Sequence, residues 1–200
     1  MLHVLIYTVK VTLLRITPDA EKLIAEGARV CYASTPKTPD ADRKLLKNLR
    51  EWGHLSMFEH ACATFMVEGV SRACTHQLVR HRIASYSQQS QRYVNEQGFE
   101  YVTPKTVGDN PEAKKRYDDA IEAVRKAYQE LIGIGIPKED ARFLLPNACA
   151  TKIAVTMNFR ELRHFIKLRG AKDAQWEIRE LALEMLRILK EKAPNAFDDL

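Results

Sequence analysis

The sequence lacks the marks of several common protein classes. Only eight of its 200 residues are glycine and eight are proline, which argues against low complexity and disorder. It contains no G-x-G-x-x-G stretch, so nothing supports a Rossmann cofactor site. It has no apolar run near the ~20 residues of a membrane helix and no recognisable signal peptide. We therefore expect a soluble protein of the cytoplasm.

Activated nucleophiles and metal-binding patterns are also lacking. The four cysteines, Cys31, Cys62, Cys74 and Cys149, form no C-x-x-C pair, which disfavours a zinc site. None has a neighbour that would activate its thiol, and Ser90 has no dedicated base near it in sequence. Any reaction would therefore depend on a cofactor, with the protein supplying anchors and charge.

The chain does have enough apolar sequence for one core. Hydrophobic residues make up 46% of it, and its length suits one domain, which we place at residues 1–200. The net charge is +5, with acidic residues spread among the basic ones. This balance fits anionic small molecules such as nucleotides as partners.

Strand and helix signals are mixed without a regular βαβ alternation. Strand-like patterns occupy residues 2–14, 61–70 and 149–157. In the first half of the chain, helices are predicted from Thr17-Pro18 to about Tyr32, from Thr38-Pro39 to Gly53, and from Ser71 to about Arg82. The second of these has Leu45, Leu49 and Trp52 on its apolar face. In the second half, helices are predicted from Asn110-Pro111 to Gly133, after Pro137, from Asn158 to Gly170, and after an Asp173 cap. We predict an α+β fold, a single domain with a mixed or antiparallel sheet and several long helices.

The last predicted helix has apolar residues on two sides. Such a helix is buried either in a core or in a subunit interface. One face holds Ile178, Leu181, Ala182, Met185, Ile188 and Leu189, and a second stripe holds Leu183 and Leu186.

The most informative segment runs from Arg80 to Tyr93, here called the 80–93 strip. Cations, hydroxyls and amides follow one another there with little apolar periodicity, which is not typical of a core helix or strand. The strip is either a solvated loop or a surface for an anionic ligand. On the predicted helix, Gln77, Arg80 and His81 share a face, where Gln77 can read a base edge and Arg80 can grip a phosphate.

Two further groups carry polar side chains suited to a ligand. In the first, His54 and His60 flank Glu59, but their spacing is not that of a zinc-binding helix, so we expect no metal there. In the second, Arg160 and His164 are four residues apart on one predicted helix. Two arginines have simple structural explanations. Arg169 can complement the dipole at a helix end, and Arg142 can be merely exposed.

The 80–93 strip resembles the signature of the flavin-dependent thymidylate synthases, R-H-R-x-x-S-x-N-x-x-S-x-R-Y. It departs from that signature at Ser87, which replaces asparagine, and it has Gln88 where many members carry glutamate. The matching positions are Arg80, His81, Arg82, Ser85, Ser90, Arg92 and Tyr93.

The resemblance extends from about Ala28 to the last helix. A long signature with ordered flanking motifs is more specific than a single short one. The flanking matches are Gly53-His54, Ser56, Phe58-Glu59-His60, Gln77, Arg142-x-x-Leu145-Pro146, Asn158-x-Arg160, His164, Leu168-Arg169 and Gln175-Trp176-Glu177-Ile178.

The resemblance implies reductive methylation of dUMP to dTMP. Methylenetetrahydrofolate would give the one-carbon unit, and FAD reduced by NADPH would give the hydride, without an enzyme nucleophile. It also implies a cytoplasmic homotetramer whose active sites gather residues from several subunits. We expect neither nucleic acid nor a membrane as a partner.

The resemblance also implies roles for individual residues. Arg169 would be catalytic beside the uracil ring, and His54 would lie near the folate and the flavin. The implied FAD-binding residues are Ser56, Glu59, Arg80, His81, Arg82, Gln88, Asn158, Arg160 and His164. The implied dUMP-binding residues are Gln77, Arg80, Gln88, Gln89, Ser90, Gln91, Arg92, Arg142 and Arg169.

The residues by themselves leave two alternatives open. One is an RNA- or DNA-binding module on the 80–93 strip, which lacks the clustered aromatics typical of single-strand binding. The other is a metal hydrolase that uses His54, Glu59 and His60.

Overall fold

The structure is a computed structural model and describes residues 9–200. The described chain clusters into two compact units, each made of separate segments. The first unit contains Glu68–His76 and Gln88–Ile153 with the described residues up to Lys10, and the second contains Val11–Val67, Gln77–Ser87 and Ala154–Leu200. We describe each unit by itself, and the single domain at residues 1–200 stays a prediction.

Four strands form one sheet. They are β1 (Lys10–Ile16), β2 (Cys62–Ser71), β3 (Ala84–Gln88) and β4 (Ala150–Asn158), in the order β1-β2-β4-β3. The Phe159 N–H donates to the Ala61 carbonyl, and the Thr64 hydroxyl meets that of Thr156 at 2.9 Å. Residue numbers therefore rise along β2 as they fall along β4, which is an antiparallel pairing. The predicted α+β class and antiparallel sheet are confirmed.

Helices lie between and after these strands along the chain. Within residues 9–200, no helix is both long and apolar enough to cross a membrane. The helices are α1 (Ala20–Val30), α2 (Ala41–Glu51), α3 (Arg72–Leu78), α4 (Lys105–Gly108), α5 (Pro111–Gly133), α6 (Lys138–Ala141), α7 (Phe159–Arg169), α8 (Trp176–Lys192) and α9 (Pro194–Phe197), with 3₁₀ turns at Leu55–His60 and Arg142–Leu144.

Capping decides where the long helices begin. The Asn110 side chain accepts from the Glu112 and Ala113 N–H groups, with Pro111 in the first turn, and Asn158 caps α7 in the same way. Both starts were predicted, because an asparagine cap is a local signal. The Asp173 cap was wrong, since Gln175 accepts the first N–H groups of α8.

Two other helix signals in the second unit were wrong. Thr17 does not cap α1, because its hydroxyl bonds to the backbone of Cys62. The residue before α1 is instead Asp19, in a left-handed conformation. Of the predicted apolar face of α2, Leu49 is buried and Leu45 is half-buried, but Trp52 is 60% exposed and does not belong to it. Leu46, which was not predicted, is buried as well.

The N-terminal strand and the 80–93 strip differ from expectation. The predicted strand at 2–14 is observed from Lys10 onward, and residues 2–8 lie outside the described residues. The strip contains β3, an edge strand, although its pattern did not predict a strand. Polar residues are tolerated there because an edge strand in an antiparallel sheet can keep one face in water.

The helix predicted from Ser71 to Arg82 ends early, at Leu78. The Tyr86 hydroxyl lies 2.8 Å from both the Leu78 and the His81 carbonyl oxygens. A side chain from β3 therefore satisfies backbone acceptors that another helical turn would have used. As a result, Arg80 and His81 lie beyond the helix and do not share its face with Gln77.

The core of the second unit includes the predicted apolar face of α8. All six residues of that face are buried. Of the second stripe, Leu186 is buried and Leu183 is 38% exposed. The predicted burial is therefore confirmed on the first face and in half of the second stripe.

The C-terminal residues are tied to this core by a buried arginine. The Arg163 side chain is 2% exposed and donates to both carboxylate oxygens of Asp199, at 2.7 and 2.5 Å, and to the Ala196 carbonyl. Burial raises the pKa of Asp199, but the hydrogen bond and charge of Arg163 and the charge of Arg50 outweigh it and lower that pKa to about 2. Asp199 therefore stays ionised well below neutral pH.

We expect Arg163→Met to lower the free energy of unfolding by about 2 kcal/mol, because it removes the hydrogen bonds that this buried guanidinium donates to the partly exposed Asp199 carboxylate and to the Ala196 carbonyl. A carboxylate whose folded pKa is depressed stabilises the fold above its unfolded pKa, and this contribution is lost as pH falls from about 4 to about 2. Urea titrations at neutral pH and across the acid range would measure both effects.

The matched control is Arg187→Met on α8. Arg187 is exposed and pairs with Glu184 and Glu191, so its loss should change stability by less than about 1 kcal/mol. Equal losses in the two variants would contradict the role given to Arg163.

Candidate functional site

The predicted site residues are divided between the two units. His54, Ser56, Glu59, Gln77, Arg80, His81 and Arg82 belong to the second unit, as do those of α7. Gln88 to Arg92 and Arg142 belong to the first unit.

A groove of about 480 Å³ runs beside α7 in the second unit. Here it is called the α7 groove. Four of the nine residues predicted to bind FAD line it, namely Glu59, Asn158, Arg160 and His164. Its remaining lining residues are Leu55, Ile83, Glu161, Arg163 and Lys167.

Arg160 and His164 lie on one exposed side of α7, as predicted. The Arg160 guanidinium pairs with the Glu59 carboxylate at 2.5 Å, and both side chains are about half exposed. An exposed pair of this kind contributes little stability. Arg160 can therefore exchange its partner for an anionic ligand at small cost.

His81 contacts both ends of α7 and is 3% exposed. Its Nδ1 lies 2.9 Å from the Glu161 carboxylate, and its Nε2 accepts a hydrogen bond from Arg169 Nε at 3.2 Å. Burial lowers the pKa of His81, and the charges of Arg169 and His164 lower it further, although the bond to Glu161 acts against them. His81 is therefore neutral at physiological pH.

The remaining predicted FAD and folate residues in this unit are exposed. Ser56 lies on the 3₁₀ turn, and His54 precedes it with its ring 5.9 Å from that of Trp52. Arg80 and Arg82 follow α3 with exposed side chains. Their accessibility suits ligand contact, but within this unit they do not line the α7 groove.

The chemistry of the His81 cluster does not favour a metal. Within residues 9–200, the group whose potential ligand atoms lie within 4.8 Å of one another is His81, Glu161 and His164, rather than His54, Glu59 and His60. Both ring nitrogens of His81 already have protein partners. The Arg169 guanidinium would also repel a cation.

In the first unit, the strip continues from Gln88, the last residue of β3, into a loop that begins at Gln89. Both residues are held by hydrogen bonds to other segments of the unit. The Gln88 amide donates to the hydroxyls of Thr75 at 3.0 Å and Thr151 at 3.4 Å. The Gln89 N–H donates to the Lys152 carbonyl, and its own carbonyl accepts from Arg72 at 3.0 Å. The loop therefore has a defined backbone before any ligand binds.

The side chain of Gln89 is held by Glu96, which sequence reasoning missed. Gln89 hydrogen-bonds to the Glu96 carboxylate, which is 7% exposed. Burial raises the pKa of Glu96, while Gln89 and the charge of Arg72 partly offset this. No sequence signal indicated Glu96, because its hydrogen bond with Gln89 and its charge interaction with Arg72 exist only in the folded chain.

The rest of the loop presents accessible polar groups. The Ser90 hydroxyl accepts from the Arg92 N–H at 3.2 Å. The Arg92 side chain pairs with Glu139 at 2.9 Å, with both groups about half exposed. Arg142 donates to the Glu139 carbonyl at 3.1 Å. Arg92 and Arg142, both predicted to bind nucleotide, thus both contact Glu139, the first at its carboxylate and the second at its backbone carbonyl.

A second cavity in the first unit has a volume of about 450 Å³. Carboxylates of Glu68, Glu96 and Glu100 line it together with a single lysine, Lys152. This balance does not suit a phosphate. The accessible cations Arg92 and Arg142 are the better candidates for one.

The family model described as thymidylate synthase complementing protein matches residues 12–195. The chain belongs to that family. It is 51% identical to a flavin-dependent thymidylate synthase of Geobacter sulfurreducens, over 95% of this chain and 86% of that protein. Proteins of the same name from Clostridium tetani and Pyrococcus abyssi are 44% and 47% identical, over 94% and 89% of this chain and 85% and 78% of theirs.

The structure shows the surroundings of the two residues, Ser87 and Gln88, at which this family member departs from the usual signature. Ser87 is exposed on β3, so its replacement of asparagine costs the core nothing. Gln88 is half-buried and uses its N–H₂ group on two hydroxyls. The Thr75 hydroxyl already donates to the Arg72 carbonyl at 3.0 Å, so a carboxylate at this position could accept only from the Thr151 hydroxyl.

The buried thiols of this family member should not react with thiol reagents in the folded protein. Cys149 is fully buried, and burial with the nearby Glu96 raises its pKa to about 12. Cys74 is also buried, whereas Cys31 is exposed. In the folded protein at pH 8, we expect an aromatic disulfide reagent to modify Cys31 rapidly and Cys74 and Cys149 only on unfolding.

A Cys31→Ser variant is the control, because it should lose the rapid phase alone. Labelled peptides identified by mass spectrometry would assign each phase. Rapid modification of Cys149 in the folded protein would show that its thiol is accessible and would reopen a nucleophilic role.

Proposed function

We propose that the protein is a flavin-dependent thymidylate synthase that converts dUMP to dTMP, with methylenetetrahydrofolate as one-carbon donor and NADPH as reductant of FAD. The observation that carries this proposal is 51% identity, over 95% of the chain, to a protein of that name. The two groups of site residues supply the chemical support.

The α7 groove has a donor set that fits FAD. Arg160, Lys167 and His164 offer hydrogen-bond donors along one side, which suits the diphosphate of a dinucleotide. Asn158 and Glu59 add acceptors. We propose that these residues hold FAD together with the exposed Ser56, Arg80 and Arg82 of the same unit. When bound, the reduced flavin supplies a hydride, so no enzyme thiol is needed.

The nucleotide is assigned to the loop of the first unit. Arg92 and Arg142 are accessible cations, and the Arg92–Glu139 pair is exposed enough to exchange for a phosphate. Ser90 is assigned to binding. Gln91 and the hydrogen-bonded Gln88 and Gln89 complete the proposed set in this unit.

Arg169 is proposed to act on the pyrimidine. Uracil becomes nucleophilic at C5 when negative charge is pushed into its ring. A guanidinium beside the carbonyl–imide edge favours that anionic form. Arg169 is half-buried, and partial burial strengthens such a charge interaction relative to water.

We further propose a cytoplasmic homotetramer with active sites shared between subunits. In the first unit, Ile134 is 76% exposed and Phe143 84% exposed, which suits burial in an assembly. Sedimentation analysis would measure the number of subunits.

The first test is spectroscopic and catalytic. The purified protein, alone or after addition of FAD, should show the absorption of a bound flavin. It should form dTMP from dUMP only when methylenetetrahydrofolate and NADPH are both present. A protein that binds no FAD, or a complete mixture that yields no dTMP, would contradict the proposal.

The second test concerns Arg169. Arg169→Ala should lower kcat about 10²-fold or more, as loss of a transition-state donor does, and should weaken dUMP binding much less. Steady-state kinetics with separate dUMP titrations would resolve the two effects. Arg187→Ala is the surface control, and Ser90→Ala should keep measurable turnover. Equal losses in kcat and affinity would make Arg169 an anchor only.

A further inference from the structure

His81 belongs to the signature, yet its ring is closed off from ligands by protein partners. It is 3% exposed, and both of its nitrogens are engaged. We propose that His81 is a positioning residue, whose neutral ring is oriented by Glu161 and whose Nε2 holds the Arg169 guanidinium in place. The inference deepens the proposed function and rests on it only in assigning Arg169 to the pyrimidine.

The direction of each hydrogen bond follows from the donor inventory. Arg169 Nε always carries a proton and can only donate. His81 Nε2, 3.2 Å away, must therefore offer its lone pair. The ring proton then lies on Nδ1 and is donated to Glu161 at 2.9 Å. Glu161 thus selects the tautomer that allows His81 to accept from Arg169.

The surroundings of His81 limit its movement. The Phe165 ring meets the imidazole edge-on at 5.1 Å between centroids. The Tyr86 hydroxyl contacts the His81 carbonyl. Glu161 is 8% exposed and lies in the first turn of α7, where Asn158 accepts from its N–H. The imidazole is therefore fixed on its ring face and at its backbone.

The charges that face His81 make this arrangement sensitive to pH. Glu161, Arg169 and His164 act on the ring from α7, and the Tyr86 phenol from β3 contacts the His81 carbonyl. Burial raises the pKa of the Tyr86 phenol, so it stays uncharged. Protonation would place a proton on His81 Nε2 against the Arg169 N–H and break their bond. Burial, Arg169 and His164 lower the pKa of His81 and thus oppose this protonation.

The first experiment observes the ring without any turnover. Two-bond ¹H–¹⁵N spectra of protein labelled at histidine would be recorded across pH, with the His81 signal assigned by its loss in His81→Gln. We expect a protonated Nδ1, an unprotonated Nε2 and a pKa below the ordinary value of about 6.5. An Nε2–H tautomer or a raised pKa would overturn the proposal even if the enzyme were fully active.

The second experiment uses two substitutions that imitate different ring nitrogens. The glutamine amide reaches the place of Nε2 and can still accept from Arg169, whereas the asparagine amide reaches only the place of Nδ1. His81→Gln should therefore keep more kcat than His81→Asn, by up to about 10²-fold, the loss that a misplaced group can cause. Flavin absorption and thermal unfolding would verify that both variants are folded and loaded.

The third experiment moves the pH dependence. Glu161→Gln removes the carboxylate that favours protonated His81, so the acid limb of kcat/KM for dUMP should move to lower pH. A structural defect alone would lower the rate without moving that limb. Glu112→Gln, at an exposed position on α5, is the matched control. An unmoved limb in Glu161→Gln, or equal kcat in the two His81 variants, would overturn the proposal.

The outcomes separate the inference from the proposed function. If no dTMP forms but the spectra show the expected tautomer and pKa, the reaction assignment fails and the positioning of Arg169 stands. If dTMP forms but the tautomer is reversed, the positioning fails and the reaction assignment stands.

Discussion

The buried contact between His81 and Glu161 is the constraint on which the second-unit site depends. It joins the segment after α3 to the first turn of α7, and Arg169 at the last turn of α7 donates back to the same imidazole. The first and the last turn of α7 are therefore both held by the same imidazole ring. A carboxylate and a guanidinium can share that ring only if it is neutral, because a cationic ring has no lone pair for the arginine.

The loop of the first unit uses the same kind of constraint with different groups. Arg72 holds the Gln89 carbonyl, and Glu96 holds the Gln89 side chain. The following residues, Ser90 and Arg92, keep exposed or half-exposed polar atoms. A rigid buried base with accessible groups beyond it is the arrangement that preorganised binding requires, since less entropy is lost when the ligand arrives.

Local signals predicted the parts of the fold that local physics controls. The start of α7 followed from Asn158, and the buried face of α8 followed from helical spacing. Long-range contacts controlled what was missed. β3 is polar because it is an edge strand, and α3 ends early because of Tyr86. The candidate ligand residues were predicted by resemblance, and their roles stay predictions.

Glu161 shows why the buried partners of a site are hard to predict. It stands three residues after the Asn158 cap, where a glutamate usually reaches back to the cap's N–H. A sequence pattern therefore explains it fully as a helix-start residue. Its carboxylate instead bonds to His81, eighty residues earlier in the chain. A residue that satisfies a local rule can thus hide a long-range role, and only the folded contact separates the two.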